Sequence, residues 1–198
     1  MTATSGQFLE KKSRKNEIVL LTADDYERLT PPDNGNYELH NGKLITMASP
    51  LYPHQRLSNR LSYYLTGFVL NNRLGEVLTA PMDVYFDINN IVQPDLLYIS
   101  NERLDIIEDN RKIKGAPDLL VEILSDSNTI KEMNFKKHLY EDFEVREYWL
   151  INLKKQTLVQ YENTDEGWIP RKILGINDTL NGIILPNFVL NLNDIFSI

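Results

Sequence analysis

Leu119-Leu120-Val121-Glu122-Ile123-Leu124 is an apolar run interrupted by a single carboxylate. A continuous run of this kind reads as a central strand covered on both faces, and an unpaired carboxylate there costs on the order of several kcal/mol. Glu122 therefore needs a compensating partner. A second acid has similar surroundings upstream, in Val92-Gln93-Pro94-Asp95-Leu96-Leu97-Tyr98-Ile99. Two such carboxylates placed side by side repel each other unless a proton or a cation lies between them, and divalent-metal sites are built in that way. Strand alternation sets Glu122 on the face of Leu120 and Leu124, and Asp95 on the face of Leu97 and Ile99. If strands 94–99 and 118–124 are neighbours, the two acids come within reach of one ion. Magnesium suits the pair, with manganese as its substitute, because it prefers oxygen ligands and needs only one or two protein carboxylates.

Outward from these strands the chain alternates irregularly between helical and extended patterns. Residues 1–20 are polar and basic with little periodicity and read as a flexible arm; residues 21–198 read as one domain. Thr22–Leu29 predicts a short capped helix stopped by Pro31-Pro32-Asp33-Asn34-Gly35. Tyr37–His40 and Lys43–Met47 flank Asn41-Gly42, which predicts a β-hairpin. Leu57, Leu61, Tyr64, Leu65 and Phe68 recur at helical spacing between Pro53 and Asn71. Residues 76–79 and 82–87 are short strand candidates, while 101–115 leaves a short helix and a long loop both open. A second helix is expected over Ile130–Asp142, with Phe135, Leu139 and Phe143 as its stripe. Strands at Tyr148–Ile151 and Thr157–Tyr161 and a partner over Trp168–Leu174 complete the order. The result is an α/β (α+β) domain with a mixed central sheet flanked by helices.

Composition narrows the chemistry. At 198 residues, 42% hydrophobic and 25% charged, the chain belongs with folding, water-soluble domains. Without cysteine it has no disulfide, thiolate zinc site or cysteine nucleophile, and a cytoplasmic location is the expectation. Lys11, Lys12, Arg14 and Lys15 have no apolar segment behind them, so neither export nor membrane insertion is expected. A net charge of -7 argues against broad, charge-driven nucleic-acid binding but leaves room for a nuclease, whose metal site itself concentrates carboxylates. Neither a glycine-rich phosphate loop nor a nucleophile elbow is present. His40, His54 and His138 lack zinc-ligand spacing.

Several segments together resemble the Uma family of endonucleases, bacterial members of the PD-(D/E)xK restriction-endonuclease-like superfamily. They are Glu38 in Tyr-Glu-Leu-His-Asn-Gly, Pro94-Asp95, Glu122-Ile123-Leu124-Ser125, Lys136 four residues before Tyr140, and Glu147-Tyr148-Trp149-Leu150. The resemblance spans roughly residues 22–196. It implies DNA as substrate, Asp95 and Glu122 as metal-binding acids and Glu38 as a further catalytic acid. The superfamily lysine two residues after the glutamate is missing, since Leu124 stands there. The resemblance moves that role to Lys136 on the following helix, where the ammonium would orient water or neutralise the phosphate.

Plainer readings stand beside these. Glu122 could be a structural acid satisfied by a lysine or a backbone amide, and Asp95 a turn acid after Pro94. Most helix lysines are solvated, and Lys137 competes with Lys136, although only Lys136 lies one turn from Tyr140. An acid beside an Asn-Gly turn, as Glu38 is, ordinarily faces water; His54 at a helix start ordinarily caps or faces water; Tyr148 and Trp149 read as packing. The leading expectation is a magnesium-dependent DNA endonuclease, acting as a homodimer by analogy with duplex-cutting enzymes. The alternative is a nuclease-fold module that binds nucleic acid or protein without turnover.

Overall fold

The Asn41-Gly42 turn joins β1 (Tyr37–His40) to β2 (Lys43–Thr46), and both turn residues have positive φ, 49° and 73°, the geometry that matches strand twist in a two-residue hairpin. The computed structural model describes residues 20–29, 37–109, 111–125 and 129–197. The expected basic arm, apart from residue 20, and the proline-rich stop at 31–35 lie outside them. Ahead of the hairpin, Thr22 opens α1 (Ala23–Leu29), with its amide and hydroxyl both donating to the Asp25 carboxylate.

Leu57, Leu61, Leu65 and Val69 form the buried stripe of α2 (Tyr52–Asn72); Leu57, Leu61 and Leu65 are the expected core positions, whereas Phe68 is half-buried, Tyr64 is exposed and Val69 closes the stripe. Four strands follow: β3 (Gly75–Thr79), β4 (Val84–Asp87), β5 (Asn90–Val92) and β6 (Leu96–Ser100). The stretch with two open readings forms a 3-10 turn over Asn101–Ile106 and two short strands, β7 (Ile107–Glu108) and β8 (Lys112–Lys114). Next come β9 (Leu119–Leu124), α3 (Ile130–Asp142), β10 (Glu147–Asn152), β11 (Thr157–Thr164) and β12 (Gly167–Gly175). The chain closes with β13 (Thr179–Asn181), β14 (Val189–Asn191) and α4 (Leu192–Phe196). Strands of three residues carry too little alternation to register in a sequence pattern, which explains why β5, β13 and β14 were not foreseen.

The main sheet runs in the order β12-β11-β10-β9-β6-β3. Its β9–β10 pair is parallel, joined through α3, and the other pairs are antiparallel. Leu119, Leu120 and Val121 of β9 are fully buried, as the opening run requires of a strand covered on both faces. The α2 stripe packs on one face with Leu96, Tyr98, Val121, Ile123 and Trp149. On the other, Leu139 and Tyr140 of α3 pack with Leu97, Ile99, Leu120 and Tyr148. A second sheet, ordered β2-β1-β5-β4-β8-β7, carries the hairpin. β13 and β14 pair as a separate antiparallel ribbon, so the mixed α+β architecture expected is built, among the described residues, from three sheets instead of one.

Candidate active site

β6 and β9 pair with Leu96 opposite Val121 and Leu97 opposite Leu120. One step further along that register, Asp95 faces Glu122. Asp95 stands just ahead of β6 instead of inside it, next to Pro94, which has no N–H to offer a ladder. Its side chain takes up a main-chain donor of β9: Oδ2 accepts the N–H of Ile123 at 2.7 Å. The same oxygen lies 3.2 Å from Nε2 of His54, which reaches it from α2.

Glu122 is 9% exposed and shares its face with α3. A capping box fixes the start of that helix: the Thr129 side chain accepts from the Glu132 amide, and the Glu132 side chain accepts from the Thr129 amide. The helical phase thus set aims Lys136 and Tyr140, one turn apart, at the same carboxylate. Lys136 Nζ lies 3.1 and 3.3 Å from the two Glu122 oxygens, and the Tyr140 hydroxyl donates to Oε1 at 2.6 Å. Lys137 turns elsewhere, with its Nζ 4.4 Å from the centre of the Tyr161 ring.

Glu38 departs most from the residue-level expectation. It is fully buried, not solvent-facing. Oε1 lies 2.8 Å from Lys136 Nζ and accepts the Gln93 amide at 2.8 Å; Oε2 lies 2.6 Å from His40 Nε2. The His40 ring in turn stacks on Phe135 of α3, with centroids 4.2 Å apart. Glu38 and His40 share one hairpin face because they are two residues apart. Nothing local in the hairpin reveals that α3 covers that face.

Two carboxylates, Glu38 and Glu122, thus contact one ammonium, and Asp95 is near enough to act on it through its charge. Burial pushes the Glu122 carboxyl up, Lys136 pulls it down, Asp95 and Glu38 push it further, and the balance is about 7. At Glu38 burial also acts upward, but the Lys136 charge and the bonds from His40, Lys136 and Gln93 prevail and hold it at about 2. Burial disfavours the Lys136 ammonium, yet Glu122 and Glu38 outweigh that and keep it charged more firmly than an ordinary lysine. Glu122 is the acid left short of positive charge.

A divalent cation would fit that shortage. Both contacts of Asp95 fall on Oδ2, which leaves Oδ1 free among the described residues. Among those residues no group of three His, Asp or Glu side chains is placed to hold a metal; an ion bound here would have Asp95 and Glu122 as its carboxylates and keep water in its other positions. Sequence reasoning missed the burial of His54. One signal was available: His54 continues the core stripe of α2 backwards at helical spacing from Leu57 and Leu61. For His40 and Gln93 no local signal exists. Tyr148 and Trp149 are packing residues, almost entirely buried.

The family model Uma2, described as "Putative restriction endonuclease", matches residues 23–193. No curated protein matches the chain. Among solved structures, a "putative nuclease belonging to DUF820" from Anabaena variabilis is similar with a TM-score of 0.75 and 20% identity, over 89% of this chain and 98% of its own. The type IIG restriction endonuclease BpuSI is similar with a TM-score of 0.41 and 11% identity, over 77% of this chain and 17% of its own. Among the described residues no helix is long and apolar enough to cross a membrane.

Proposed function

This chain belongs to the Uma2 family, and from that premise we propose a magnesium-dependent endonuclease that hydrolyses DNA phosphodiester bonds in the cytoplasm. The observation that carries the reading is Lys136. It reaches from α3 to within 3.1 Å of Glu122, supplying a cation beside the acid pair where Leu124 leaves the strand without one.

In this reading Asp95 and Glu122 would hold the ion. Magnesium, or manganese in its place, would supply an activated water and neutralise charge on the phosphate. Lys136 donates to a non-bridging phosphate oxygen as charge develops there, a contribution strongest in a water-poor site. Glu38 acts one step back. Held by His40 and Gln93, it anchors the Lys136 ammonium and keeps it protonated. Tyr140 fixes the orientation of the Glu122 carboxylate through its 2.6 Å bond. Cutting both strands of a duplex favours a two-fold pair of subunits, so a homodimer is the assembly to look for.

The closed Lys136–Glu122 contact also favours a second reading, a nuclease-fold module that binds without turnover. Calorimetric titration with Mn²⁺ and cleavage of a mixed DNA substrate separate the two. An endonuclease binds the ion and cuts, and Asp95→Asn removes both properties. A chain that binds no ion and leaves DNA intact is the module.

A further inference from the structure

His54 opens the buried stripe that Leu57, Leu61, Leu65 and Val69 continue along α2. Another leucine would serve packing at that position. Instead an imidazole stands there, 9% exposed, with Nε2 3.2 Å from Asp95 Oδ2 and with Nδ1 buried and lacking a hydrogen-bond partner among the described residues. A buried polar atom left unpaired is costly, so packing does not account for the choice of histidine. A carboxylate only accepts, which puts a ring proton on Nε2, and in the neutral ring leaves Nδ1 bare.

The consequence falls on Asp95. Its Oδ2 receives one N–H from β9, through Ile123, and one from α2, through His54. α2 covers the sheet face opposite the one that α3 covers, so the imidazole and the Lys136 ammonium reach the acid pair from helices on opposite faces. Two donors converging on one oxygen fix the carboxylate plane and reserve Oδ1. We infer that His54 is a positioning residue, whose N–H holds Asp95 Oδ2 so that Oδ1 is presented to a divalent ion. This inference rests on the metal-dependent reading above. Groups that orient a metal ligand from behind are worth about 10–100-fold in metal affinity.

The test compares Mn²⁺ affinity by calorimetry in the full chain and in His54→Gln, His54→Asn and His54→Phe, each first checked for cooperative melting in chelator. The glutamine amide nitrogen reaches the Nε2 position, whereas asparagine is one methylene short and phenylalanine has no donor. Asn and Phe should weaken Mn²⁺ by roughly 10–100-fold, and Gln should retain most of the affinity. If Phe fails to fold, the Gln–Asn pair still separates reach from polarity. Equal affinity in all variants overturns the inference. So does an equal loss in Gln and Asn, which marks a packing role. If the parent itself melts cooperatively but binds no Mn²⁺, the metal-dependent reading has failed and the positioning role falls with it.

Discussion

Two buried glutamates lie on neighbouring strands of one sheet, and they differ in everything except burial. Glu147 opens β10 opposite Leu119, on the α2 face; Glu122 lies in β9 opposite Leu150, on the α3 face. Glu147 Oε1 accepts from Trp149 Nε1 at 2.6 Å and Gln160 Nε2 at 2.7 Å, and Oε2 accepts the amides of Ile183 and Ile184 at 3.0 Å each. Each oxygen has two donors, all from neutral groups of the same chain. Glu122 instead meets an ammonium and a phenol, with two further acids close enough to shift its titration. A buried carboxylate is therefore no mark of a site. What marks one is an incomplete set of partners that themselves carry charge. Asp118 makes the same point: it is fully buried but closed off by Arg103, Arg146 and the Ser100 amide.

The comparison breaks most visibly with isosteric changes. Glu147→Gln sets an NH₂ group against two N–H donors, losing two bonds to a charged acceptor at about 1.5–3 kcal/mol each. A loss of about 3–6 kcal/mol is expected in urea unfolding. Mn²⁺ affinity of the molecules that remain folded should not change. A stable Glu147→Gln protein would mean that the four donors are not what holds this face together.

Lys136→Met comes next. It strands Glu38, which is fully buried, and breaking a buried pair from one side costs about 3–5 kcal/mol. The Glu38→Gln/Lys136→Met double variant should recover much of that stability in the same assay, because no uncompensated charge is left. DNA cleavage should stay depressed by about a hundredfold or more in both, as for other lost transition-state donors. Stability and cleavage restored together in the double variant would reduce Lys136 to a structural counter-ion.

How much of this was legible follows the same division. The β9 run, the Asn41-Gly42 hairpin and the stripes of α2 and α3 are local patterns, and local periodicity fixes local structure. That Asp95 and Glu122 come together was legible because each breaks an apolar run, and the approach of Lys136 to Glu122 because its phase matches that of Tyr140. The burial of Glu38 and His54 and the closed set around Glu147 were not, although the family resemblance names Glu38 as a further acid. Their burial comes from partners distant in sequence: Glu38 meets Lys136, His54 meets Asp95, and Glu147 meets Ile183 and Ile184. No window around any of these residues contains the element that covers it.

A smaller effect is expected at Glu122 itself. Its carboxyl is raised from 4.5 to about 7, so the folded state binds that proton more tightly than the unfolded state does. The resulting stability is fully present below about pH 4.5 and is lost as pH rises through about 7. Glu38, lowered to about 2, runs the other way and contributes above about pH 4.5, losing its share only as pH falls through about 2. Between pH 4.5 and 7 the metal-free protein should therefore lose melting temperature through Glu122. In Glu122→Gln that slope should flatten, and stability at pH 7 should lie within about 1 kcal/mol of the parent, because glutamine still accepts from Lys136 and Tyr140. A drop of several kcal/mol would put Glu122 in the same class as Glu147.

The smallest effect belongs to Lys137, adjacent to the residue proposed for the chemistry. Successive helix positions point about 100° apart, and Lys137 accordingly leaves the acid cluster for the Tyr161 ring, 4.4 Å from its centre. A cation over an aromatic face in a partly exposed setting is worth about 0.5–1 kcal/mol. Lys137→Met should lose no more than that in urea unfolding, since methionine keeps most of the apolar stem. Single-turnover cleavage at saturating Mn²⁺ should match the parent, because no contact connects Lys137 to Asp95, Glu122 or Glu38 among the described residues. The paired measurement with Lys136→Met makes the result decisive: two lysines in sequence, one turned to the acids and one to a ring. A cleavage defect larger in Lys137→Met than in Lys136→Met would mean that DNA is held on the Tyr161 side of α3 and that the chemistry does not run through Lys136.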